Sequence, residues 1–245
     1  MPLGSALSFS ADLRAGLKQG VLLGAAVLAL TLPPAGLAGY AASPRSPAAD
    51  AASVVAAALP AIAADFGDQP ASDDARRIAA WVASARDNGR LPFVILDKRD
   101  ARVHVFDADA RLVDSSPVLL GAAAGDDSVA GIGQRPIAEV RPEERTTPAG
   151  RFISHPGRNA SGEDVVWVDY EAAVSMHRVR LVDPKERRLE RLASTDPAER
   201  RISYGCINVP VAFFETVIQP LLGRQRAVVY VLPEQKDLRT VFAGA

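Results

Sequence analysis

The one cysteine of the 245-residue chain, Cys206, lies in Arg201-Ile202-Ser203-Tyr204-Gly205-Cys206-Ile207-Asn208-Val209-Pro210. A thiol in such a frame can act as a nucleophile. Gly205 lets backbone come close to a substrate, and Ser203, Tyr204 and Asn208 surround the cysteine with polar groups. An amphipathic run follows at 211–219. Pro210 suits the first turn of a helix there, because its missing N–H would have no partner in any case. Asn208 reads as the N-cap and Pro220 as the stop. The thiol would then sit beside a helix N-terminus, where the positive end of the dipole favours thiolate. A lone cysteine can also be a small buried apolar side chain, and these residues alone leave both readings open.

Imidazole is the usual partner of a nucleophilic thiol. Of the three histidines, His177 lies in the strand nearest Cys206 in sequence and is the candidate base; a purely structural His177 is the alternative. His104, on the far face of an alternating strand, and His155, in a His155-Pro156-Gly157 turn, read as solvent-facing. One Cys and three scattered His offer no ligand pair at metal spacing. Gly131-x-Gly133 lacks the strand and helix of a phosphate loop. The proposed chemistry needs neither metal nor cofactor.

The elements that must position these groups follow from periodicity. Residues 1–42 carry Arg14 and Lys18 ahead of an apolar run at 20–32, then Pro33-Pro34 and small residues. That run has the length of a signal-peptide core and falls short of the roughly 20 residues of a membrane span. Export through a cleaved signal is expected, with an uncleaved inner-membrane anchor as the alternative. A single exported thiol can form no internal disulfide, so it is either reactive or buried. Residues 43–71 read as an Ala/Pro-rich linker, and 72–90 as a helical extension capped by Ser72, with Ile78, Trp81, Val82 and Ala85 as its apolar stripe and Asn88-Gly89 as its end. Residues 91–234 turn to strands: 93–97, 101–106, 111–113, 118–121, 165–170, 173–179 and 227–232. Residues 125–145 form a long loop of the functional or mobile kind, 146–152 a turn feeding a strand, 183–200 a charged insertion or short helix, and 235–245 a tail. A net charge of −1 gives no basic excess for nucleic acid.

From Phe93 to Leu232 the chain resembles the catalytic domain of the bacterial L,D-transpeptidases. The resemblance is carried in order by Val103-x-Val105-Phe106, Ser116-Pro117-Val118 with Gly121, Thr147-Pro148-x-Gly150-x-Phe152, His177, and Ser203-x-Gly205-Cys206-x-Asn208. It implies a mainly β fold, a sandwich or distorted barrel of mixed sheets with a helix after the cysteine. It implies a periplasmic or cell-envelope enzyme of peptidoglycan biosynthesis, cell wall organisation and cell shape, sensitive to carbapenems. Cys206 would attack the third residue of a peptidoglycan stem peptide and expel the terminal D-alanine. His177 would be the base, the N–H groups of Tyr204, Gly205 and Cys206 the oxyanion hole, and Ser203 and Asn208 braces of the turn. A diamino-acid amine as acceptor gives a 3→3 cross-link; water gives a carboxypeptidase.

Two departures stand out. Tyr204 occupies the place before Gly-Cys where the family usually has histidine, and 25 residues separate His177 from Ser203, longer than usual. Both fit an alternative, a catalytically impaired wall-binding protein on the same fold. A sortase-like enzyme fits less well, since the residues after the cysteine differ and no essential arginine can be assigned.

Overall fold

The computed structural model describes residues 64–245. The export segment and the linker up to residue 63 lie outside the described residues. Helix α1 (Asp73–Ala85) begins where Ser72 accepts a hydrogen bond from the Ala75 N–H at 3.1 Å, with Asp73 and Asp74 in its first turn. It ends at Arg86, in the left-handed region at φ 53°, before the Asn88-Gly89 pair expected to stop it.

Ten strands follow: β1 (Phe93–Asp97), β2 (Arg102–Phe106), β3 (Leu112–Pro117), β4 (Leu120–Gly121), β5 (Gly150–Arg158), β6 (Asp164–Asp169), β7 (Val174–Arg178), β8 (Arg201–Ser203), β9 (Ile207–Val209) and β10 (Ala227–Val231). Eight of them form one mixed sheet in the order β3-β2-β1-β10-β5-β6-β7-β9. The pairs β1–β10 and β7–β9 are parallel and the others antiparallel. Just beyond β3, Leu119 exchanges both backbone hydrogen bonds with Asn208 of β9, each 2.9 Å. The two edges are thereby joined into a distorted, nearly closed barrel. β4 and β8 form a short parallel ribbon beside this junction.

The barrel interior is filled by alternate residues, among them Val94, Leu96, Val103, Val105, Val166, Met176, Ile207 and Val229. A helix after the cysteine, α3, plugs it with Phe214 and Ile218. α3 runs through Val211–Phe213, a wider π turn Phe214–Ile218 and Gln219–Leu221. Pro220 therefore does not stop it. A proline inside a helix lacks one donor and clashes with the carbonyl four residues back; here the π turn just before it relieves that clash. The opposite face of β1, β2 and β10 carries Phe93, Ile95, Phe106, Val228 and Tyr230 under α1 and a C-terminal helix α4 (Leu238–Val241).

Two positions differ from the sequence reading. His104 is fully buried, with Phe66 edge-on at 5.0 Å and Ser115 Oγ 2.7 Å from Nδ1. Residue alternation gave the face correctly, but the covering segment is remote in sequence. His155-Pro156-Gly157 is not a turn but part of β5, paired with β6 from Trp167 to Val165. β10 pairs with β5 only as far as Ser154, so Pro156 lies where β5 is an edge on that side, and proline is tolerated there. Among the described residues, no helix is long and apolar enough to cross a membrane.

Candidate active site

Cys206 sits in the tight connection between β8 and β9. The three residues of β9, about 10 Å of strand, separate it from α3, and Pro210 is the N-cap without a side-chain hydrogen bond. The expected N-cap role of Asn208 and the proximity of the thiol to a helix N-terminus are both overturned. The strand wins locally because Asn208 exchanges both backbone hydrogen bonds with Leu119 while β9 lies in parallel register with β7 on its other side.

That register builds the site. Met176 pairs with Ile207 and His177 with Asn208, so Ser175 comes level with Cys206. Side chains alternate along a strand: Met176 and Ile207 point into the barrel, while Ser175, His177 and Asn208 share the other side with the thiol. Ser175 Oγ lies 3.7 Å from Cys206 Sγ, and the Ala173 carbonyl 3.6 Å from it. His177 Nδ1 lies 2.7 Å from the Arg178 carbonyl oxygen. A carbonyl only accepts, so Nδ1 carries the proton and Nε2 is the basic nitrogen left for the thiol. Burial pushes the Cys206 thiol up, but the hydrogen bond and charge of His177, with help from Ser175, outweigh it and hold the thiol below its ordinary value.

The turn itself is braced from three sides. Ser203 Oγ donates to the Cys206 carbonyl at 2.6 Å and accepts from the Gly205 N–H at 3.1 Å. Asn208 Nδ2 donates to the same carbonyl at 3.1 Å. Thr147, fully buried, accepts from the Gly121 N–H at 3.0 Å and donates to the Gly205 carbonyl at 2.9 Å. Gly205 has φ 126°, and a Cβ there would lie 2.7 Å from the Thr146 carbonyl; one on Gly121 would lie 2.3 Å from that of Arg145. Both positions therefore require glycine. The three sequence blocks around Gly121, Thr147 and Cys206 are one contact in space.

Parts of several solved structures are similar to this chain. A variant of the helical cell shape determining protein Pgp2 from Campylobacter jejuni aligns at 15% identity and a TM-score of 0.40, covering 64% of this chain and 55% of that one. An L,D-transpeptidase from Xylanimonas cellulosilytica aligns at 15% identity and 0.34, covering 58% of this chain and 60% of that one. A variant of the Enterococcus faecium L,D-transpeptidase aligns at 17% identity and 0.32, covering 58% and 49%. The chain thus spans about half to three fifths of the length of these proteins. No protein-family profile matches the chain, and no curated protein does.

Tyr204 is 41% exposed, with the Arg145 guanidinium 4.0 Å from its ring centre. Arg145 comes from the 125–145 loop, which carries three short 3-10 turns. Behind the turn, Lys98 Nζ is fully buried and donates to the carbonyls of Gly125 at 2.5 Å and Thr147 at 2.9 Å, and to Asp126 at 2.7 Å. Glu234 lies 3.5 Å from it and pairs with Arg201. Among the described residues, no group of three His, Cys, Asp or Glu could hold a metal ion.

Of the residues singled out in sequence, Cys206, His177, Ser203, Gly205 and Asn208 are brought together, while the ring of Tyr204 turns outward. Sequence reading missed Ser175 and Lys98. Ser175 had a signal: it lies two residues before His177 on a strand, and so on the same face. Lys98, next to a surface turn in sequence, had none.

Proposed function

We propose that the protein is an exported cysteine L,D-transpeptidase acting on peptidoglycan stem peptides, with residues 91–234 as its catalytic domain. One observation carries the reading: the parallel register of β7 and β9 puts Ser175 and His177, whose Nδ1 faces the Arg178 carbonyl, on the same side as the Cys206 thiol, where His177 and Ser175 favour thiolate against the pull of burial. A merely buried structural cysteine would be shifted upward.

His177 Nε2 takes the thiol proton and Sγ attacks the carbonyl carbon of the third stem residue, forming a C–S bond. The oxyanion is received by main-chain N–H groups of Tyr204 and Cys206, since the Gly205 N–H is engaged by Ser203 Oγ. A preorganised donor of this kind contributes on the order of 3–4 kcal/mol. The tetrahedral centre collapses, the C–N bond to D-alanine breaks, and His177 returns the proton to the leaving amine. The side-chain amine of a diamino acid then attacks the thioester, gives its proton to His177 and releases the thiolate. Water in its place leaves a shortened stem.

Intact-protein mass after incubation with a carbapenem is the first test, beside Cys206→Ser, followed by turnover of muropeptides. A stoichiometric adduct absent from the control is expected, and His177→Ala should lower turnover by roughly 10²–10⁴-fold. A folded protein that forms no adduct would replace this reading with the wall-binding one.

A further inference from the structure

The charged stretch 183–200 lies outside every motif that suggested a function. It folds into a 3-10 turn (Pro184–Glu186), the short helix α2 (Arg188–Ala193) and a second 3-10 turn (Pro197–Arg200). Most of its cations hold the stretch together or to the barrel. Arg187 pairs with Glu190; Arg191 donates to the Glu186 carbonyl at 2.8 Å and the Glu199 carbonyl at 2.7 Å. Arg200 donates to the carbonyls of Asp100 and Ala101.

Arg188 does something different. Its Nη1 donates to Asn208 Oδ1 at 2.7 Å and its Nε to Glu186 Oε2 at 2.5 Å, and its side chain is only 13% exposed. Asn208 itself is 1% exposed. An asparagine amide has an acceptor end and a donor end of nearly the same shape, and a guanidinium can only donate. Arg188 therefore fixes Oδ1 toward itself. The Nδ2 end is left facing the Cys206 carbonyl, which it meets at 3.1 Å. That carbonyl also receives Ser203 Oγ at 2.6 Å. With two donors on it, the plane of the Cys206–Ile207 peptide is fixed, and with it the direction in which Sγ leaves the backbone toward His177 and Ser175. Turned over, the amide would set its oxygen against the Cys206 carbonyl oxygen.

We infer that Arg188 is a positioning residue for the nucleophile, acting through the orientation of the Asn208 amide. The insertion thus contributes to the site from outside the cysteine motif. The inference rests on Cys206 being an activated thiol, and its test needs no peptidoglycan substrate.

Cys206 is the sole cysteine of the chain, so its alkylation by iodoacetamide can be followed against pH on the full chain without interference. Arg188→Met, which keeps the packing of the stem, is expected to slow alkylation at neutral pH by about tenfold and to move the pH midpoint upward. Arg188→Lys, which keeps a donor, should recover most of the rate. Arg191→Met loosens the insertion without touching Asn208 and should leave the pH profile at its parental midpoint. In a double-mutant cycle, Arg188→Met should add nothing to Asn208→Ala. A parental profile in Arg188→Met overturns the inference, as does full additivity with Asn208→Ala or an equal effect from Arg191→Met. Should Arg188→Met fail to fold, Arg188→Leu, which also lacks a donor, is read by the same criteria. A protein that meets these expectations but turns over no muropeptide overturns the transpeptidase reading and leaves the role of Arg188 standing.

Discussion

On one side of Thr147, the ammonium of Lys98 is fully enclosed among Asp126, Glu234 and two carbonyl oxygens. On the other side, the Gly205 carbonyl leads to a half-buried thiol flanked by a hydroxyl and an imidazole. Both clusters are polar, and Thr147 belongs to both. The first is made of full charges with every partner in place, so it is rigid and its value lies in stability. The second sets a thiol, a hydroxyl and an imidazole side by side on one face, the groups that a nucleophile and base need. The Lys98 cluster fixes the Thr147 segment, ahead of β5, on which the cysteine turn rests; the Cys206 cluster holds the groups to which the proposed chemistry is assigned.

Lys98→Met tests this division most forcefully. It leaves Asp126 buried beside Glu234 without a cation, a loss on the order of 3–5 kcal/mol for a broken buried pair. Urea denaturation should show that loss, while the alkylation profile of the folded protein keeps its midpoint. A shifted midpoint with unchanged stability would show that the two clusters act as one.

Acid separates the clusters next. Asp126 is pushed up by burial, but Lys98 and the main-chain N–H groups of Glu234, Gln235 and Lys236 bring it down to about 2. A carboxylate depressed in the folded state stabilises above its unfolded value and loses that contribution as pH falls through the folded one. From the ordinary value of 3.8, the contribution is about 2 kcal/mol, lost between pH 4 and 2. His104 acts earlier. Burial holds it neutral at about 4, so the unfolded chain binds the proton first, and about 3 kcal/mol is lost as pH falls from 6.5 to 4. Unfolding free energy against pH should therefore decline in two stages, and His104→Leu should remove the first. A single stage beginning below pH 4 in the parent would mean that His104 is reached by water.

The division also explains what could be read in the sequence. Strands β1, β2, β6, β7 and β10 were legible because period-two or continuous apolar runs are local, and the cysteine turn because Ser203, Gly205 and Asn208 surround it. β8 and β9 were not legible. Each has three residues, and each exists only through pairing with strands far away in sequence, β4 and β7. Asn208 next to Pro210 therefore read as a helix cap by local rules, and the longer-range ladder overrode it. His104 was misread for the same reason, since Phe66 and α1 cover a face that its own strand leaves open. Lys98 and Arg188 each form their decisive contacts with groups 20 to 49 residues away, where no spacing rule applies.

Tyr204 should show the smallest effect, and it bounds the Cys206 cluster on its outer side. Its exposed ring lies against the Arg145 guanidinium. An exposed cation–π contact contributes about 0.5–1 kcal/mol, and Arg145 retains its bond to the Val140 carbonyl at 3.3 Å without it. Tyr204→Ala should therefore lower stability by no more than that and leave the alkylation profile of Cys206 in place, because His177 and Ser175 reach the thiol from β7 independently of residue 204. Thermal melts and iodoacetamide kinetics on the same protein check both halves. A tenfold slower thiol in Tyr204→Ala would place the ring, and through it the 125–145 loop, inside the activating cluster. The outward ring would then be part of how the cysteine is held, and Tyr204→His the variant that tells whether a second imidazole can replace it.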